Sequence, residues 1–208
     1  MLSIEQFFGF LLAAVLVTAA PGPDNLMVLG TGMSTGRRHG IAFGLGCALG
    51  CLSHTALAVA GVSALIAASP QAFGALKLCG GLYLLWLGYK VLRNARGTTL
   101  SARPGSTLTP AALFARGIVA NAINPKVIVF FLSFLPQFVA PAQGSVGLQM
   151  ALLGLLFTAQ AALIFTLLGY FAGTVGQWLS TRPGAGMLMD RLAGGLFIAL
   201  GLRLIFSR

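Results

Sequence analysis

The sequence predicts an all-α membrane protein: six transmembrane helices forming two inverted three-helix repeats, with helices 1 and 4 interrupted. Three observations carry that prediction. Of 208 residues, 57% are hydrophobic and 8% charged, against about 25% charged in an ordinary soluble domain. The apolar residues gather in six runs of roughly bilayer-crossing length. Two of those runs contain a proline-centred break, and the breaks lie half a chain apart. The chain therefore reads as a single integral membrane domain over residues 1–208, with repeats at about 1–100 and 106–208.

The first run covers residues 4–33. As one straight helix it would reach about 45 Å, well past the ~30 Å hydrocarbon core. The stretch "TAAPGPDNLMV" interrupts it at residues 21–25. Pro21 and Pro23 remove backbone donors and clash with the preceding turn, and Gly22 adds conformational freedom. Backbone groups released at that depth must face protein or a wet cavity. Residues 7–17 look like the apolar part of a signal peptide, but no Lys or Arg precedes Arg37, so the segment is expected to be retained.

The second run, residues 41–68, is rich in small residues. Gly36, Gly40 and Gly44 are spaced four apart, as are Gly46 and Gly50, and Gly169 and Gly173 around the end of the fifth run. Such spacing lets helix backbones touch, so this helix is expected to be central. It also carries Cys47, Cys51 and His54 on one helical face. That face is either a partial soft-metal ligand set or two buried thiols and a histidine bonded to a neighbouring helix. His54 as a proton relay is a further option. With Cys79 there are three cysteines, all in apolar runs, which is no disulfide framework.

The third run spans residues 73–92. The fourth, 117–139, is interrupted at 124–126 within "ANAINPKVIVF". Only about seven apolar residues separate Arg116 from that break, so "TPAALFARG" is expected to lie as an amphipathic stretch at the membrane interface. Aligning Pro23 with Pro125 sets Asp24 opposite Lys126. Three helices per half invert the second copy across the membrane, and interrupted helices in corresponding positions point to a transporter site. The fifth run, 146–171, contains Gln160. The sixth covers 188–206.

The net charge of +10 does not call for a nucleic-acid partner, because the basic residues cluster in short joints. Arg37 and Arg38; Lys90, Arg93, Arg96 and Arg103; and Arg182 and Arg191 occupy the odd-numbered joints. The positive-inside rule puts those joints in the cytoplasm and both termini on the outer side, despite Arg203 and Arg208.

Intramembrane charges mark function by default, because each costs at least ~2.5–3.5 kcal/mol at mid-membrane. Asp24 and Lys126 are therefore the sharpest candidates. A zwitterionic amino acid could insert between them, its carboxylate meeting Lys126 and half-helix amides, its ammonium meeting Asp24 and the carbonyls freed near Pro21. An aspartate there can also take up a proton and couple export to proton entry. The plainer alternative makes Asp24 a helix cap and Lys126 a snorkelling surface residue. Asn25, Asn121 and Asn124 either donate and accept at the site or cap the broken ends. Gln160 either reaches the site or bonds across helices.

"PGPDNLMVL", "GRRHGIAFGLG", "LKLCGGLYLLWLGYKVLR" and "NAINPKVIVFFLSFLPQFV" together resemble the lysine-exporter (LysE) family, in its homoserine/threonine-exporter (RhtB) branch. The resemblance covers nearly the whole chain in motif order. It implies a bacterial inner-membrane protein of six helices that exports amino acids or close derivatives, driven by the proton gradient. On that pattern Pro21, Gly22, Pro23, Asp24 and Asn25 match the first motif, and Asn124, Pro125 and Lys126 the second. The expected partners are a small amino acid, protons and the lipid bilayer; association into a homo-oligomer is left open. No cofactor is expected. Nothing resembles a nucleophile elbow or a phosphate-cradling loop, so an enzyme is not expected either. Competing readings are a metal or inorganic-ion exporter using Cys47, Cys51 and His54, and a non-transporting scaffold protein.

Overall fold

A computed structural model describes residues 2–95 and 108–206, and among these the regular structure is helical. Helix α1 (Ile4–Ala19) opens with a reciprocal cap: the Ser3 hydroxyl accepts from the Gln6 amide at 3.1 Å, and the Gln6 side chain accepts from the Ser3 amide at 2.6 Å. Such a pair satisfies two otherwise orphaned donors. After the break, α2 (Pro23–Thr35) leaves at 55° to α1. Gly36, with φ +98°, turns the chain into α3 (Arg37–Leu57). A π-helical stretch at Ala58–Val62 joins α3 to α4 (Ser63–Ala68).

Ser69 caps α5 (Pro70–Arg93) through the Ala72 amide. Arg96 and Arg103, placed in the third joint by the sequence reading, lie outside the described residues. The second half begins with α6 (Pro110–Ala122), then α7 (Pro125–Val129), which continues through a π-helical stretch at Phe130–Phe134 and a 3₁₀ turn at Leu135–Phe138. The two sides of this break are bent by 50°. Then come α8 (Val146–Tyr170), α9 (Ala172–Thr181) and α10 (Pro183–Phe206).

Among the described residues, three helices are long and apolar enough to cross a membrane: Arg37–Gly61, Gln71–Arg93 and Val146–Tyr170. The total is up to five if each bent pair is one span. The sixth apolar run falls in α10, a 24-residue helix that is not among these candidate spans. Large apolar side chains are exposed along the bundle, among them Phe8, Leu52, Leu82, Leu155, Leu163 and Leu192. That much uncovered apolar surface needs a lipid environment. The chain is a multi-pass membrane protein.

Helix α3 is the hub, packed by α2, α6 and α8, while α5 pairs with α10. Glycine makes both arrangements possible. A Cβ on Gly46 would run into the Phe114 carbonyl, and one on Gly117 into the Phe43 carbonyl, so α3 and α6 meet backbone to backbone. Gly88 meets Gly194, and Gly81 meets Gly201, in the same way between α5 and α10. Gly40, Gly44, Gly50 and Gly169 also lie in close crossings, but Gly36 and Gly173 face open space. Gly36 serves the turn instead.

The stretch "TPAALFARG" is not a separate interfacial segment. Thr109 caps α6, and Leu113, Gly117 and Asn121 bury one face of that helix against α3. Arg116 stays exposed on the other face. Between α1, the segment after α7, and α8, a cluster of aromatic rings fills the core: Phe10, Phe130, Phe131, Phe134, Phe138 and Phe157, with ring centroids 4.9–6.2 Å apart.

Candidate functional site at the two helix breaks

Each half-helix after a break starts with proline at its first helical position. Gly22 is the N-cap before Pro23, and Asn124 is the N-cap before Pro125. Proline suits that place, because its missing amide is one that a helix start leaves unpaired anyway. The residues that follow, Asp24 and Lys126, are therefore fixed in the first turn of α2 and α7.

Both charges are buried, Asp24 at 2% exposure and Lys126 at 5%. The Lys126 ammonium crosses to the other break, where it donates to the carbonyls of Val17 and Ala20, both at 3.1 Å. Those carbonyls belong to the last turn of α1, which has no helical continuation to satisfy them. Asn25 serves the same end, donating to the Thr18 carbonyl at 2.9 Å. Asp24 accepts from the Asn121 amide at 2.8 Å. Between these two described residues no direct ion pair forms; Asp24 and Lys126 each hold the other half of the chain by a different bond. They remain close enough to interact electrostatically.

Asn121 links most of the polar groups. Its side-chain oxygen lies 3.4 Å from the Cys51 thiol, which donates to it, and its backbone carbonyl lies 3.0 Å from His54 Nε2. Gln160 donates to the Thr18 hydroxyl at 2.8 Å and to the Phe157 carbonyl at 3.0 Å. Asn124 caps its own half-helix, accepting from the Lys126 amide at 3.0 Å. Among the described residues, four buried side-chain atoms have no hydrogen-bond partner: Asn25 Oδ1, His54 Nδ1, Asn124 Nδ2 and Gln160 Oε1. A buried polar atom left open in this way is expected to have a missing partner such as a ligand or water.

Beside the breaks lies a cavity of about 600 Å³, within the range of roughly 300–1,000 Å³ common for small-molecule sites. Pro21, Gly22, Pro23, Asn124, Pro125 and Lys126 form one wall. The other walls come from α5 (Tyr83, Leu87, Lys90, Val91, Asn94) and α10 (Asp190, Phe197), with Leu26 and Met27 of α2.

Against the family of LysE-type translocators, the chain matches over residues 15–208. It belongs to that family. The translocator is 31% identical to a leucine efflux protein of Enterobacter sp. (strain 638), covering 97% of this chain and 95% of that one. It is likewise 31% identical to a membrane protein of Vibrio cholerae over the full length of both. A homoserine/homoserine lactone efflux protein of Salmonella typhimurium is 30% identical, over 100% of this chain and 99% of its own. No solved structure matches.

In this LysE-family chain the structure brings together Pro21, Gly22, Pro23, Asp24, Asn25, Asn121, Asn124, Pro125 and Lys126, with His54 and Gln160 at the edge through Asn121 and Thr18. Asp24 is not an N-cap, since Gly22 holds that position, and Lys126 does not snorkel to a surface. The trio of Cys47, Cys51 and His54 shares one buried neighbourhood, but no group of three or more His, Cys, Asp or Glu suited to a metal ion occurs among the described residues. Sequence reasoning missed the far wall of the cavity. Asp190 is one of three acids in the chain and sits inside an apolar run, so the rule that singled out Asp24 applies equally to it. Tyr83, Lys90 and Asn94 carried no such signal, because the helical face they share becomes a wall only when α5 packs against α10.

Proposed function

We propose that the chain is a secondary active exporter of amino acids or close derivatives, working by alternating access and driven by proton entry. One observation carries this reading: two helix breaks meet at a buried, charged and incompletely hydrogen-bonded centre that opens onto a cavity of small-molecule size. The leucine and homoserine efflux relatives supply the substrate class. Leu26, Met27, Leu87, Val91 and Phe197 give the cavity apolar walls for a side chain.

The helix pairing supports two inverted repeats. Taken in order after each break, α3 corresponds to α8 and α5 to α10, although α10 starts later than the offset between Pro23 and Pro125 would put it, and these are pairs that pack. A two-fold axis in the membrane plane places such counterparts against each other. The cavity runs to Lys90 and Asn94, at the end of α5 that precedes the third joint. The charge rule assigns that joint to the cytoplasm, the side from which an exporter loads. On the opposite side the phenylalanine cluster fills the passage. The protein is then an inner-membrane exporter caught open to the inside, with both termini outside.

Within this mechanism Asp24 is the proton carrier and Lys126 binds the substrate carboxylate. Purified protein in proteoliposomes with an imposed pH gradient tests it. Wild type should drive efflux of labelled L-leucine or L-homoserine, and both Asp24→Asn and Lys126→Gln should reduce gradient-driven flux to the level of empty liposomes. Wild-type rates from both variants would end this reading.

A further inference from the structure

We infer that the substrate lies across the cavity with a fixed polarity: its ammonium is held by Asp190 and Asn25, and its carboxylate by Lys126 and Asn124. This rests on the exporter reading and adds a binding residue from α10 that neither helix break supplies.

The first support is which acid faces the space. Asp24 is not among the residues lining the 600 Å³ cavity, whereas Asp190 lines it together with Lys126 and the residues of both breaks. A zwitterion needs both signs within reach of one volume. Here the reachable cation at the breaks is Lys126 and the reachable acid is Asp190.

The second support is the sign of the open hydrogen-bonding atoms. A neighbouring cavity of about 70 Å³ shares Pro21, Leu26 and Asp190 with the larger one and is also lined by Asn25. Asn25 is 7% exposed and its Oδ1 has no partner; Asn124 is 3% exposed and its Nδ2 has none. Which atom is oxygen and which nitrogen follows from the other half of each amide. Asn25 must present its NH₂ to the Thr18 carbonyl, which leaves an acceptor over. Asn124 must present its oxygen to the Lys126 amide, which leaves a donor over. Asn25, which carries the spare acceptor, thus lines a cavity with Asp190, and Asn124, which carries the spare donor, lines the larger cavity with Lys126. Acceptor with acid suits an ammonium, and donor with cation suits a carboxylate.

The experiment uses counterflow of labelled L-leucine into reconstituted wild type, Asp190→Asn, Asp190→Glu and Lys126→Met. Competitors are unlabelled leucine, its 2-hydroxy acid analogue, which keeps the carboxylate, and 3-methylbutylamine, which keeps the ammonium. Losing a hydrogen bond to a charged group costs roughly one to two powers of ten in affinity. Asp190→Asn should therefore raise the half-saturating leucine concentration by about tenfold or more. It should lose inhibition by the amine while inhibition by the hydroxy acid stays at the wild-type level. Lys126→Met should show the reverse pattern, and Asp190→Glu should regain amine sensitivity.

Equal loss of sensitivity to both analogues in Asp190→Asn, a variant that no longer reconstitutes as folded protein, or unaltered competition by both would each overturn the assignment. If wild type exchanges leucine and Asp190→Asn matches it, the inference alone falls. If wild type moves neither leucine nor homoserine, the exporter reading falls with it.

Discussion

At the scale of single residues, Gly22 has a role that its backbone does not explain. Its φ of −168° is extended and open to any residue. What a side chain would meet is the Lys126 ammonium, 2.9 Å from a Cβ at that position. The end of a lysine can move aside at little cost, so Gly22→Val should fold and insert normally. It should nevertheless displace the ammonium from the Val17 and Ala20 carbonyls and lower transport efficiency by about an order of magnitude, in keeping with the worth of a charge-assisted hydrogen bond. Counterflow beside a thermal-unfolding measurement separates the two effects. Cys47 and Cys51 predict the opposite outcome. Both are buried, and the Cys51 thiol makes only weak contacts. Cys47→Ala with Cys51→Ala should keep more than half of wild-type transport, whereas loss of all activity would revive metal ligation.

At the scale of helices, glycine contacts set how closely the elements cross. Gly46 and Gly117 let α3 and α6 approach until a Cβ on one meets the backbone of the other. Gly46→Leu has no flexible neighbour to push aside and must separate the helices. It should destabilise the fold by about 3 kcal/mol or more, at the upper end of overpacking effects, read as lost thermal stability in detergent. The two breaks were legible in the sequence because proline, glycine and charge are rare inside spans, and each leaves a mark that composition alone reveals. The first half of the second broken helix was not legible. The few apolar residues between Arg116 and the break made "TPAALFARG" read as an amphipathic stretch at the interface, yet Arg116 sits on an exposed face while Leu113, Gly117 and Asn121 bury the other. A residue count could not separate those faces without knowing that α3 lay alongside. Gln149 shows the same limit. It is buried and ties the Ala140 backbone and the Gly144 carbonyl to the start of α8, a link between segments that no local pattern announces.

At the scale of the whole molecule, basic residues and aromatic rings collect at the same helix ends. Arg37 lies over Tyr170 at 4.7 Å, Lys90 over Trp86 at 4.9 Å and Arg182 over Trp178 at 5.9 Å. Such a belt marks a membrane–water interface, and all three pairs belong to the end assigned to the cytoplasm by charge. In a cysteine-free background, Arg182→Cys should react with a membrane-impermeant maleimide only after cells are opened, and Ser3→Cys should react in intact spheroplasts. The reverse pattern would invert the orientation. The sequence speaks to orientation only through counts of charges in joints, which is what the maleimide labelling tests. Asp190 on α10 has no counterpart in the pairing of Asp24 with Lys126 at the two breaks, so that pattern does not mark it. The grip of Lys126 on the frayed end of α1 has a mechanical result. One ammonium both splints the elbow between α1 and α2 and borders the chamber, so an anion arriving there competes with the splint. Loaded and empty carriers must then differ in stiffness at residues 17–22, and amide exchange over that elbow should quicken on loading.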